Sequence, residues 1–159
     1  MTFSLHEITF NKITFNKVSS KKYQRSPYKG THYSKDITMK SEISALFDTW
    51  NSALQTRDPK QVVALYETNA ILLPTVSNQV RHNHAEIEDY FVSFLEKEPM
   101  GKIDESNVRT FGNIAINSGV YTFTFKGGAT VQARFTYVYR WNGQEWKIIE
   151  HHSSQMPES

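Results

Sequence analysis

The sequence predicts an α+β fold in which three helices pack on one face of a curved, mostly antiparallel sheet. Two observations carry this. Apolar residues recur every three to four positions up to about Glu98, and then every second position to the end. Turn residues punctuate the second half as Gly127-Gly128 and Asn142-Gly143, pairs that close hairpins. Helices followed by a run of strands form a layered domain with the helices on a single sheet face. The 159 residues suffice for one such domain with a core of its own.

Each element has its own signal. Helix one is expected over Ser41–Thr56, where Ile43, Leu46, Phe47, Trp50, Ala53 and Leu54 make one apolar stripe. Asp58-Pro59 starts helix two, because aspartate caps and proline suits the first turn. This helix is expected to reach about Thr68, carrying Val62, Val63, Leu65 and Tyr66, with Asn69 as its stop. Ala70–Leu73 reads as a short strand ended by Pro74. Asn83 with Glu86 three positions later is a capping pattern for helix three, which runs to about Glu98. Asn107–Phe111, Ala115–Lys126, Thr130–Trp141 and Glu145–Ser153 read as consecutive strands. A sheet curved over helix one encloses a conical cavity, a usual place for a small-ligand site.

Composition narrows the functions. There is no cysteine, so disulfides and thiolate metal sites are excluded. No apolar run approaches the ~20 residues of a membrane span, and no membrane partner is expected. Residues 1–40 hold eight Lys/Arg against two acidic residues, a net +6, whereas residues 41–159 hold ten against fourteen, a net −4. A mildly acidic globular part argues against nucleic acid as a partner. Residues 1–38 read as a basic, disordered extension, with a tandem pentapeptide Ile8–Lys12 and Ile13–Lys17. The domain is expected over 39–159. A cytoplasmic location is expected, or a plastid one if the basic segment serves as a transit peptide.

The chain ends on its densest group of chemical side chains, Trp146-Lys147-Ile148-Ile149-Glu150-His151-His152-Ser153-Ser154. This reads as a strand running from a packed core into a pocket mouth. Imidazoles exchange protons near neutral pH, and hydroxyls orient small oxyanions. On the preceding strand, Val131, Ala133, Phe135, Tyr137 and Tyr139 form the more apolar parity and should face inward, which directs the Tyr137 hydroxyl into the cavity. The last strand has two registers. A two-residue Asn-Gly turn pairs Trp141 with Gln144 and sets Trp146, Ile148, Glu150, His152 and Ser154 inward. A bulged loop sets Ile149, His151 and Ser153 inward instead. The first choice buries Glu150, a costly carboxylate, and this favours the second. A metal alternative would combine His82 and His84 with His151-His152, but no glutamate stands at a zincin-like spacing, so no metal and no other cofactor is expected.

These segments carry a resemblance. Phe47-Asp48-Thr49-Trp50-Asn51, Asp58-Pro59 and Trp146–His152 resemble the calcium/calmodulin-dependent kinase II association-domain branch of the nuclear-transport-factor-2-like (NTF2-like) superfamily, over residues 41–157. Within it, Leu72-Leu73-Pro74-Thr75-Val76-Ser77-Asn78 and His151-His152-Ser153-Ser154-Gln155-Met156-Pro157 look like signature segments of iota-class carbonic anhydrases of cyanobacteria and algae. The resemblance implies an NTF2-like cone that hydrates carbon dioxide to bicarbonate without a metal. In the kinase association domains the positions equivalent to Tyr137 and Ser153 carry pocket-facing arginines. Tyrosine and serine here imply a neutral pocket instead, with His151 and Ser153 inward.

On this reading His151 is the base, contributing ~10²–10⁴-fold, and Ser153 and Tyr137 complete the catalytic group. Phe47, Trp50, Phe135 and Tyr139 supply an apolar slot, and Thr49 and Tyr66 supply donors to the substrate oxygens. A variant of the idea has hydroxyls orient water with no base. Two other classes compete: an assembly hub without catalysis, and a binder or isomerase of a larger ligand. A homodimer is expected through the outward parity of Thr136 and Val138, flanked by Arg134 and Arg140. Removing residues 1–38 is expected to leave the thermal midpoint nearly unchanged, and a collapse of the shortened chain in a melting experiment would contradict the boundary.

Overall fold

The computed structural model describes residues 31–157. The tandem pentapeptide and most of the extension expected over residues 1–38 lie outside the described residues. The elements are α1 (Thr31–Gln55), α2 (Pro59–Val63), β1 (Tyr66–Leu73), α3 (His84–Leu95), β2 (Met100–Phe111), β3 (Ile114–Thr124), β4 (Thr130–Trp141) and β5 (Trp146–Gln155). The five strands form one sheet in the order β1-β5-β4-β3-β2. β1 runs parallel to β5, and the other neighbours are antiparallel. The fold is thus α+β, with helices on a mostly antiparallel sheet. Among the described residues no helix is long and apolar enough to cross a membrane.

α1 lies against the sheet through Ile43, Phe47, Trp50 and Leu54, all buried. Their spacing alternates four and three, which keeps them on one face. The helix begins ten residues before the expected Ser41, at Thr31. Its first turns carry an Asp36–Lys40 ion pair at 3.1 Å and an exposed Ile37. Helical charge spacing supports them, and apolar periodicity does not register such a segment.

α2 is shorter than expected, and this moves a site residue. Asp58 caps it by accepting from the Lys60 backbone N–H at 2.9 Å, but the helix stops at Val63. Tyr66 therefore belongs to β1, not to the second helix. The cause is competition for backbone groups: the Leu65 carbonyl accepts from the Ile148 N–H at 2.9 Å, and Tyr66 sits opposite Ile148 in the parallel ladder. A buried sheet edge outweighs the weak helix preference of Tyr66, Thr68 and Asn69. α3 follows its signal: Asn83 accepts from the Glu86 N–H at 3.0 Å, and Glu86 accepts from the His82 N–H at 2.8 Å.

β2 starts at Met100, earlier than the expected Asn107, and its register against β3 slips between Ile103 and Glu105. The bulge presses the backbone of β2 onto β3 at Gly119. A Cβ there would lie 1.9 Å from the Glu105 carbonyl oxygen, well inside van der Waals contact. Gly119→Ala is expected to destabilise the protein by at least about 2 kcal/mol. Urea unfolding at constant m-value checks this, and an unchanged midpoint would show that the bulge relaxes freely.

Candidate functional site

β5 adopts both expected parities in succession. Trp141 pairs with Trp146, so residues 142–145 form the loop and the two-residue Asn-Gly turn does not occur. Tyr139 pairs with Ile148, which is buried. The register then slips: Glu150 stands opposite Val138, and Ile149 is the extra residue of a bulge. Beyond it His151 pairs with Tyr137 and Ser153 with Phe135. His151 is 3% and Ser153 7% exposed, whereas Glu150 and His152 lie on the exposed face. The bulge keeps the Ile148 methyl groups and the His151 ring on the same side and leaves the carboxylate in water.

His151 sits among rings. Tyr137 stacks on it at 4.0 Å between centroids, and Trp50 meets it edge-on at 5.5 Å. Its Nδ1 lies 2.8 Å from the Tyr66 hydroxyl, which accepts from Trp50 Nε1–H at 3.1 Å. Its Nε2 lies 3.5 Å from the Tyr121 hydroxyl. Tyr121 in turn donates to Ser153 Oγ at 2.5 Å, and Ser153 Oγ also contacts Thr75 Oγ1. Thr75 is brought there by the loop after β1. That loop is tied back by paired 2.9 Å backbone bonds between Leu72 and Arg81.

Burial dominates the electrostatics. It pushes the His151 imidazole down to about 3, with His152 adding to the shift, because a buried cation loses its hydration. Burial pushes the Tyr66 and Tyr121 phenols well up. Imidazole and phenols are therefore all neutral at pH 7. Beside them lies a small cavity. The space open to the centre of a water-sized sphere is about 30 Å³. Trp50, Phe91, Phe94, Phe123 and Ala133 supply its apolar wall, and Thr75, Tyr121, His151 and Ser153 its polar end.

Of the residues expected at the site, Trp50, His151 and Ser153 line this cavity. Tyr66 lies behind, bonded to His151. Phe47 and Phe135 pack against the Tyr121 ring at 6.2 and 4.8 Å, supporting the wall from outside. Two expectations need correction. Thr49 is exposed, and its hydroxyl turns back to the Ala45 carbonyl at 3.4 Å. One helical step of about 100° from Trp50 carries it away from the sheet. Tyr137 contributes its ring to His151, but it is absent from the cavity wall and its hydroxyl is buried without a partner. Tyr121 and Thr75 take the places proposed for these two. The alternation of β3, with Ala115, Asn117, Tyr121 and Phe123 buried, is the signal that identifies Tyr121. Thr75 has no local signal beyond its segment. His82 bonds to Glu86 and His84 to the Tyr66 carbonyl, and among the described residues no three potential ligands converge on a metal position.

Residues 39–157 match the profile of the calcium/calmodulin dependent protein kinase II association domain. The chain belongs to this family. A crystal structure from Xanthomonas campestris, described as an association domain of this kind, is 50% identical, with a TM-score of 0.72 over 74% of this chain and 88% of that one. An NTF2-like protein of unknown function from Pseudomonas putida is 17% identical, with a TM-score of 0.68 over 77% of this chain and 89% of its own. An NTF2-like superfamily protein from Salmonella enterica is 18% identical, with a TM-score of 0.66 over 78% and 95%. No curated protein matches the chain. The last two structures establish the NTF2-like fold and no more.

The buried imidazole of this association domain gives its stability a pH dependence. The folded His151 value, about 3, lies below that of an unfolded histidine at ~6.5. The neutral ring's contribution is thus full above pH ~6.5 and is lost as the pH falls towards 3, by up to ~1.4 kcal/mol per pH unit. His151→Gln is expected to remove this component. Urea midpoints of both proteins between about pH 7 and pH 4 check it, and parallel losses would show that His151 is hydrated when folded.

Proposed function

We propose that this chain catalyses the reversible hydration of carbon dioxide to bicarbonate. The observation that carries the reading is a cavity of about 30 Å³ whose apolar wall ends in neutral hydroxyl groups. An apolar slot of that size suits a linear triatomic molecule and disfavours a polycyclic ligand. Hydroxyl donors suit the charge that develops on its oxygens during attack. The residues quoted from Leu72–Asn78 and His151–Pro157 add the likeness to iota-class carbonic anhydrases, and Thr75 and Ser153 fall within them.

Neutral His151 alters the expected chemistry. A group held at about 3 is a weak base at neutral pH, so the hydroxyl-only variant is favoured. Water bonds to carbon while one C=O electron pair moves onto oxygen. That oxygen takes a proton from the Thr75–Ser153 pair, and the pair takes one from the attacking water. The product is carbonic acid, which ionises to bicarbonate and a proton carried off by solvent. His151 holds Tyr121 and Ser153 in place and is not itself consumed or charged.

A second reading accompanies the first, because the family is an association domain. We propose a homodimer through the outer sheet face, where Ile116 pairs with Val138 and both are half-buried in one copy. Light scattering at micromolar concentration tests this, and a monomer would overturn it.

Stopped-flow hydration by chelator-treated protein tests the activity. Turnover is expected to survive chelation and to stay flat between about pH 5.5 and pH 8, since no group of the site titrates there. Ser153→Ala and Thr75→Val are each expected to cost ~10²-fold, and His151→Ala more than His152→Ala. Loss of activity on chelation, restored by zinc, would contradict the mechanism.

A further inference from the structure

We propose that Trp50 is a positioning residue: its indole N–H sets the direction of the hydrogen-bond chain through Tyr66, His151, Tyr121, Ser153 and Thr75, so that the chain presents a donor to the cavity. Each proton of the chain has a single place to go. Indole nitrogen can only donate, and Trp50 Nε1 is 3.1 Å from the Tyr66 oxygen. The Tyr66 hydroxyl proton then has one acceptor within reach, His151 Nδ1 at 2.8 Å. Nδ1 must carry the lone pair, and the ring proton of the neutral imidazole must sit on Nε2. Nε2–H faces the Tyr121 oxygen at 3.5 Å, Tyr121 donates to Ser153 at 2.5 Å, and Ser153 meets Thr75. Two hydroxyl protons now share one Ser153–Thr75 contact, so one of them is free for a ligand.

The reversed chain is obstructed only at Trp50. With the proton on Nδ1, Tyr66 would receive two donors, and its own proton would be left without a partner in a side chain that is 1% exposed. An unpartnered buried hydroxyl is costly. Ser153 would also lose the Tyr121 proton, which would turn to Nε2. The cavity would then present lone pairs to the oxygens of its substrate. Trp50 thus acts through four intervening groups, in addition to forming apolar wall.

The catalytic consequence rests on the hydration reading, but the direction of the chain does not. The test therefore reads the tautomer first. Nitrogen chemical shifts of the imidazole distinguish a protonated from a bare nitrogen. In the full chain His151 is expected to show Nε2 protonated and Nδ1 bare throughout about pH 5 to pH 8. Replacing Trp50 by 3-benzothienylalanine, with sulfur in place of the N–H, keeps the ring's shape and is expected to give averaged or reversed shifts. Trp50→Phe should do the same. Hydration turnover should fall about two- to tenfold, the fraction of chains left in the productive direction. A proton on Nδ1 in the unmodified protein, or shifts unaltered by the sulfur replacement, overturns the proposal. The expected tautomers in a protein that does not hydrate carbon dioxide would support it while removing the hydration reading.

Discussion

One extra residue in β5 decides what this cavity is. Ile149 bulges out of the β4–β5 ladder, and the strand changes face there. Without the slip, the positions that hold His151 and Ser153 inside would hold Glu150 and His152. The interior would then hold the Glu150 carboxylate, which is costly to bury, and the Tyr66 phenol would lose the imidazole nitrogen that faces it. His151 and Ser153 face the interior because of that local irregularity, and His151 pairs on one side with Leu72 of β1 and on the other with Tyr137 of β4.

The interior that results is polar but uncharged. Three aromatic rings enclose one imidazole, and desolvation holds it neutral. Such a network is stable only if its buried members are satisfied, and from Trp50 to Tyr121 each polar group has a partner. A site of this kind can orient a small molecule and supply hydrogen-bond donors, but it has no charge with which to hold a carboxylate. Burial keeps its imidazole and phenols uncharged. It also explains why a histidine at the centre of a site need not be its base.

Much of this was legible in the residues. The switch of apolar period announced helices before strands, and Asn83 and Asp58 marked helix starts by capping chemistry that is local and strong. The cost of burying Glu150 pointed to His151 and Ser153. What failed to show was what depends on tertiary competition. Tyr66 sits in a segment with weak preferences, and only the parallel partner β5 makes it a strand. Tyr137 has the inward parity expected of a cavity residue, but parity says nothing of depth, and its buried hydroxyl lies off the cavity wall. Tyr121 had the right parity and no motif around it. Thr75 is placed by a loop closure at Arg81, which no periodicity encodes. The inward His151 and Ser153 were expected from a bulged loop with Ile149 inward as well, whereas the extra residue lies within the strand, at Ile149 itself.

Isotopic oxygen exchange between labelled carbon dioxide and water tests the central claim most directly, because it follows the C–O bond itself and needs no proton indicator. With chelator-treated protein, label should be lost from carbon dioxide far faster than in buffer alone, and Ser153→Ala should slow that loss while the chain remains folded. Exchange at the buffer rate by the folded protein would contradict the account.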